Sequence, residues 1–150
     1  MSQLRQVYET VCHACDGREG KVWSDDGHLK QEIDLIKAVG GKGEKSNPEQ
    51  LFAAGYAACF SSIALYTTKR FKLNVPELPV GVKVKLFNQE DNVFAFSLKV
   101  EISATIPGVS DEDAVRVMKE AHRNCAYSNI VKPGVVEKLT VNGIDIPVHE

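Results

Sequence analysis

No marked excess of either charge is present in this sequence. Its 18 basic and 20 acidic side chains are interspersed and sum to a formal −2, so it lacks the basic stripe with which a nucleic-acid binder meets phosphates, and no nucleic acid is expected as a partner. No unbroken apolar run reaches the ~18 residues that suggest a bilayer span, and no membrane partner is expected either. The opening MSQLRQVYETV has neither the apolar stretch nor the small-residue cleavage site of a secretory signal, which points to the cytoplasm. Thiols in that compartment stay reduced unless they are catalytic, sensing or metal-bound. Repeats and low-complexity segments are also absent. Aromatic residues are few at 7%, while 43% apolar and 25% charged residues are ordinary for a globular chain. A single domain over residues 1–150 is expected, long enough to bury roughly 70% of the surface its unfolded form exposes.

What is present reads as alternating short strands and two capped helices. RQVYETVCHAC (5–15) and KVWSDDGHLKQEID (21–34) are β-prone, the second broken by the turn signal Asp25-Asp26-Gly27, so three N-terminal strands are expected. VGGKGEKS (39–46) reads as a mobile surface loop. Asn47 as N-cap, Pro48 at the first helical position, Glu49 at the positive end of the helix dipole and Gln50 completing a capping box predict a helix from there to Lys69 or Arg70. VGVKVKLFN (80–88) and VFAFSLKVEISATI (93–106) alternate with period two around a turn at 89–92 and predict a hairpin. Ser110 with Asp113 caps a second helix over 111–125, on which Ala114, Met118, Ala121 and Cys125 form one stripe. VVEKLTVNGIDIP (135–147) closes the chain as strand with a glycine-containing turn. The class is α+β, in the order β-β-β-α-β-β-α-β.

Four cysteines, at 12, 15, 59 and 125, carry the candidate chemistry. Cys12-His13-Ala14-Cys15 has the spacing of a redox pair or half a metal site. On a strand, however, three residues span about 10 Å and the two side chains point to opposite faces, beyond disulfide reach. A structural zinc site needs four ligands, and no second close pair exists; two small, semi-buried residues are the plainer reading. Cys59 falls with Phe52, Gly55 or Tyr56, Ile63 and Tyr66 at helical steps of three and four, on the stripe expected to face the core. A buried cysteine there can be simple packing. Should the two helices lie side by side, Cys59 and Cys125 would meet, and a facing thiol pair in a reducing compartment suggests a redox couple.

NPEQLFAAGYAACFSS, the DGREGKVWSDDG stretch before it and CAYSN late in the chain resemble the signature blocks of the organic hydroperoxide resistance (Ohr) family of the OsmC superfamily, in the right order over nearly the full length. The resemblance implies an OsmC-like fold, with two central helices carrying the cysteines packed with antiparallel sheets in an intertwined homodimer. It also implies a thiol peroxidase that reduces organic hydroperoxides without metal, haem or other cofactor and is recycled by dihydrolipoyl groups or another dithiol. By motif, Cys59 resembles the peroxidatic cysteine, Cys125 the resolving one, and Arg18 with Glu49 the pair that activates the peroxidatic thiol. Two departures stand out: Ala126 where the family commonly has proline, and the longer tail NGIDIPVHE.

The chemistry suits these residue types. Burial raises a lone thiol's pKa, whereas a guanidinium nearby stabilises the thiolate and then the departing alkoxide. A bidentate carboxylate such as Glu49 would hold that guanidinium in place. Phe52, Tyr56, Phe60 and Ile63 are candidates to line an apolar substrate pocket, or are simply core. Glu49 and Cys59 lie about 15 Å apart along a straight helix and roughly 80° around it, which favours a site assembled across a dimer. A thiol sensor or binding protein on the same scaffold is the alternative function, and a zinc or ligand domain using Cys12, His13 and Cys15 a further one. The histidines at 13, 28, 122 and 149 lie in no recognised catalytic motif; His122, three residues before Cys125, is either a neighbour of the site or a packed helix residue.

Overall fold

Three short strands open the chain as an antiparallel meander: β1 (Cys12–Cys15), β2 (Lys21–Ser24) and β3 (Lys30–Glu32), in the order β1-β2-β3. The computed structural model describes residues 2–148; His149 lies outside the described residues. The strand expected from residue 5 is confined to 12–15, and residues 2–11 have no regular structure. Hydrogen bonding explains the limit, because β2 offers partners only from Lys21 to Ser24. The turn signal at 25–27 is realised: Ser24 Oγ donates to Asp26 at 2.6 Å, and Gly27 takes φ 76°. Between β1 and β2 the backbone reverses through Asp16 and Gly17, both left-handed, into a 3-10 turn over Gly17–Glu19. Gly20 closes it where only glycine fits, since a Cβ would stand 1.8 Å from the Cys15 carbonyl oxygen. Beyond β3 a second 3-10 turn, Lys37–Val39, leads into the loop, and Ser46 pairs with Ile33 in an isolated parallel bridge.

Helix α1 runs from Pro48 to Arg70, as its caps predict. Asn47 Oδ1 accepts the Gln50 N–H at 2.8 Å. The C-terminus closes with Lys72 left-handed, its N–H on Lys69 and the Leu73 N–H on the Thr68 carbonyl, the paired bonds of a Schellman motif. By length and composition alone α1 would suffice to cross a bilayer. Counting unbroken apolar runs overlooks this because Ser and Thr interrupt an otherwise apolar helix.

The chain divides into two compact units, one ending at Leu51 and the other starting at Phe52. The second unit holds the remainder of α1, β4 (Val80–Asn88), β5 (Phe96–Ala104), α2 (Asp111–Asn124), α3 (Ala126–Ile130), β6 (Val136–Val141) and β7 (Ile144–Ile146). Its sheet has the order β4-β5-β6-β7. The β4–β5 hairpin pairs Val80 with Ala104 through Asn88 with Phe96. Strands β5 and β6 pair in parallel, which corrects the expectation of purely antiparallel sheets. The cause is topological: α2 and α3 carry the chain back across the sheet between them, and a helical crossover returns the strand in the same direction. The closing segment is a hairpin of two strands, β6 and β7, turned by Asn142-Gly143 with both residues at positive φ, the pairing a tight two-residue turn selects. The observed order is therefore β-β-β-α-β-β-α-α-β-β within the α+β class.

The core of this unit follows strand and helix periodicity. Val100, Ile102 and Ala104 alternate inward on β5 and meet Leu139 and Val141 of β6, Val117, Met118 and Ala121 of α2, and Tyr56, Phe60 and Ala64 of α1. Asn142 ties the β6–β7 turn to the end of β5, accepting the Ile106 N–H at 2.9 Å and donating to the Ile106 carbonyl at 3.1 Å. Asn142→Ala removes both bonds to the main chain of buried Ile106 and should lower stability by about 1–3 kcal/mol with an unchanged m-value in urea unfolding; a midpoint equal to that of the native protein would show the turn to be held by other contacts.

Candidate functional site

The buried stripe of α1 is Tyr56, Phe60, Ala64, Thr67 and Thr68. It is rotated by one residue from the stripe read in the sequence, so Tyr66 is 62% exposed while Phe52, Cys59 and Ile63 are half-buried at the edge. Steps of three and four fit either neighbouring stripe, and only packing against the sheet selects one. The consequence for Cys59 is chemical: the residue sits at the border of the core, half-buried rather than enclosed.

Cys125 is wholly buried. It belongs to neither helix. It is the corner where α2 ends and α3 begins, with extended backbone (φ −70°, ψ 125°). Its N–H donates to the Ala121 carbonyl at 2.8 Å, and its carbonyl accepts the Asn129 N–H at 3.0 Å, so it closes one helix and starts the next. The sequence placed it as the last residue of α2, and the short helix over Ala126–Ile130 went unforeseen because five residues carry too little periodicity to read.

At this corner the Cys125 sulfur lies 3.5 Å from that of Cys59, 66 positions earlier. Both thiols are free. The separation is contact distance, about 1.5 Å longer than a disulfide bond. Burial pushes the Cys125 thiol above its ordinary value, and the Cys59 sulfur adds to the rise, while the main-chain N–H groups of Ser128 and Tyr127 oppose it.

Around the sulfurs lies an aromatic group. Tyr127 stacks on Tyr56 with centroids 5.5 Å apart, and Phe52 packs against both, at 5.8 Å from Tyr56 and 6.0 Å from Tyr127. Gly55 makes room for it, since a Cβ there would lie 2.5 Å from the Tyr127 hydroxyl oxygen. The Tyr56 hydroxyl is pushed up to about 12, chiefly by burial, and shares a 2.8 Å hydrogen bond with Ser128 Oγ. Ser128 Oγ is also 2.9 Å from His122 Nδ1. Of the four apolar candidates, Phe60 and Tyr56 are fully buried in the core, whereas Phe52 and Ile63 are half-buried against it.

In the first unit, Arg18 and Glu49 form a two-pronged pair: Nη1 donates to Oε2 at 3.0 Å and Nη2 to Oε1 at 2.8 Å. The 3-10 turn after Asp16-Gly17 positions the arginine, and the capped first turn of α1 positions the glutamate. The pair forms within one chain. Hydrogen bonding from Arg18 holds the Glu49 carboxyl below its ordinary range against the opposing effect of burial, and the Arg18 guanidinium is raised correspondingly by Glu49.

Cys12 and Cys15 are exposed, not semi-buried as expected, because β1 packs too little over its own faces. Between them His13 stacks on Trp23 at 5.5 Å and meets Asp25 Oδ1 at 2.5 Å. Among the described residues no group of three or more His, Cys, Asp or Glu is placed to hold a metal ion.

The OsmC family model, described as OsmC-like protein, matches residues 41–140. The chain belongs to the OsmC-like family. Its more similar relatives carry the name organic hydroperoxide resistance protein or organic hydroperoxide resistance protein-like. An organic hydroperoxide resistance protein-like chain of Staphylococcus aureus is 37% identical over 139 residues, covering 92% of this chain and 97% of its own. A crystal structure of an organic hydroperoxide resistance protein from Elizabethkingia anophelis, with thiocyanate bound, is 38% identical with a TM-score of 0.85 and covers 94% of this chain and all of that one. A similar structure from Vibrio cholerae, with captopril in one of its active sites, has a TM-score of 0.88 at 36% identity and covers 97% of this chain and 99% of that one. This OsmC-like chain thus shares both fold and family with proteins of organic hydroperoxide resistance.

Reading residues alone placed Gly55 on the Cys59 stripe as an alternative to Tyr56 without its role in making room, and passed over Tyr127 and the Tyr56–Ser128–His122 bonds. The CAYSN block contains two of these residues, but nothing in a linear pattern says that a serine will meet a tyrosine 72 positions away. Two outcomes are expected. Gly55→Ala should displace the Tyr127 ring and cost about 1–3 kcal/mol by overpacking, read by urea unfolding together with tyrosine near-UV dichroism; native values for both would refute the close approach. Stabilisation from the Arg18–Glu49 pair should be fully present above the ordinary carboxylate pKa and lost as pH falls through the lowered value of folded Glu49. With the Arg18 side chain 38% exposed and Glu49 13%, its size should stay below about 1 kcal/mol. Glu49→Gln should flatten that acidic limb in a stability-against-pH series, and an unchanged limb would count against the pair.

Proposed function

We propose that this protein is a thiol peroxidase that reduces organic hydroperoxides, alkyl or lipid, to alcohols. The observation that carries the reading is the 3.5 Å approach of the Cys59 and Cys125 sulfurs at the edge of an apolar core. Cys59, the more open thiol, attacks one peroxide oxygen as its thiolate and becomes a sulfenic acid, and the other oxygen leaves as an alkoxide that takes up a proton. Cys125 then condenses with the sulfenic acid, forming the Cys59–Cys125 disulfide and releasing water. A dithiol such as dihydrolipoamide, or a protein bearing a dihydrolipoyl group, reduces that disulfide by exchange through a mixed disulfide. Captopril, held in one active site of the Vibrio cholerae relative, is itself a small thiol, which supports access for such a reductant. No resident metal or organic cofactor enters this cycle.

Arg18 and Glu49 are assigned by motif to thiolate activation, and their two-pronged pairing supports the assignment because it fixes a permanent positive charge in one orientation. The half-buried Phe52 and Ile63, with Tyr56 and Phe60 behind them, supply an apolar border suited to alkyl chains. A homodimer is the proposed working form, in which the Arg18–Glu49 pair acts as a preassembled element. The cytoplasm suits the cycle because it keeps both thiols reduced between turnovers.

Turnover of an alkyl hydroperoxide with dihydrolipoamide tests the assignment. Cys59→Ser should consume no peroxide. Cys125→Ser should complete a first oxidation, then recycle poorly and accumulate sulfinic acid at residue 59. Native turnover by Cys59→Ser would overturn the reading.

A further inference from the structure

The residue after Cys125 is Ala126, which has no ring to fix φ at this corner. Something else must hold the backbone, and one hydroxyl is placed to do so. Ser128 Oγ meets Tyr56 of α1 at 2.8 Å and His122 of α2 at 2.9 Å while itself belonging to α3. Those are the three elements that set the sulfur contact: Cys125 joins α2 to α3, and Cys59 lies on α1 one turn beyond Tyr56, on the same side of the helix. Packing alone does not immobilise Ser128, because it and His122 border a cavity of about 120 Å³ with Val131, Pro133 and Val136.

Resting on the reading of Cys59 as the peroxidatic thiol, we propose that Ser128, clamped between Tyr56 and His122, is a positioning residue that presents the Cys125 sulfur to oxidised Cys59. The step it serves is balanced within the chain. The Cys125 sulfur attacks the sulfenic sulfur, the S–S bond forms as the S–O bond breaks, and the thiol proton leaves with the hydroxyl as water. Cys125 is oxidised and the sulfenic sulfur reduced. A second hydroperoxide competes for the same sulfenic acid and drives it to sulfinic acid. Holding Cys125 within reach therefore decides the partition between a recyclable disulfide and a dead end, and a displacement of about 1 Å can cost up to a hundredfold in such a step.

The test separates the two half-reactions in single turnover with tert-butyl hydroperoxide, following oxidation of Cys59 and disulfide formation in time and sulfinic acid by intact mass. Ser128→Ala should oxidise Cys59 at the native rate yet form the disulfide roughly tenfold or more slowly, with sulfinic acid appearing at excess peroxide. Ser128→Thr, which keeps the hydroxyl, should restore resolution. His122→Leu should reproduce the defect and His122→Asn, with a polar atom near the position of Nδ1, should relieve it; this second pair decides the matter if Ser128→Ala fails to fold. Native-rate disulfide formation in Ser128→Ala, or equal loss in Ser128→Ala and Ser128→Thr, would overturn the inference. Native protein in which Cys59 is not oxidised at all would instead overturn the peroxidase reading.

Discussion

The sulfur–sulfur contact depends on how α1 is rolled against the sheet. Tyr56 and Phe60 are the large side chains that fix the roll, since both are fully buried and burying each contributes on the order of 2–3 kcal/mol. With those two inward, Cys59 falls at the border of the core. A roll of one residue, about 100°, would either bury its sulfur entirely or turn it away from Cys125. The thiol's partial exposure is thus a by-product of where the aromatic residues go, and the helix as a whole carries no strong apolar bias of its own to set it otherwise. Small residues on the opposite line, Ala54, Ala58 and Ser62, leave that side open.

Helix α1 was legible at its start to the residue and at its end to within one, because its signals are local: Asn47 bonds the Gln50 N–H, and the chain leaves the helix after Arg70. The β4–β5 hairpin was legible from its period of two, although its turn is longer than the four residues expected, with β5 starting only at Phe96. Features set by distant partners were not. The parallel pairing of β5 with β6 depends on a crossover through α2 and α3, and the truncation of β1 depends on the four-residue length of β2. The same distinction divides the candidate site. Cys59, Cys125, Arg18 and Glu49 stand in recognisable blocks, whereas Ser128 gains its place only when three helices converge.

The Arg18–Glu49 pair illustrates how a short turn and a helix start combine. Left-handed Asp16 and Gly17 aim the arginine, while the first turn of α1 favours a carboxylate electrostatically. Two parallel N–H···O bonds then remove the rotational freedom that a lysine ammonium would retain. A guanidinium so held keeps its charge at every working pH, which is the property thiolate activation calls for. A half-exposed ion pair of this kind contributes little stability; in the proposed mechanism its value lies in fixing the direction of a charge.

The two thiols differ in a way that orders the proposed chemistry. Cys125 is enclosed, and burial raises its thiol pKa, so in the proposed cycle it competes poorly for peroxide before Cys59 has reacted. The main-chain N–H groups at the start of α3 offset part of that penalty, which leaves the thiol able to shed its proton once an electrophilic sulfur lies beside it. Enclosure also means that an external dithiol cannot begin at Cys125. Reduction of the disulfide therefore has to start at the Cys59 sulfur, the one at the border of the core, with Cys125 as the leaving thiolate. Its high pKa makes Cys125 a slow leaving group, so the same burial that protects it from peroxide places the demand of the cycle on reductive release.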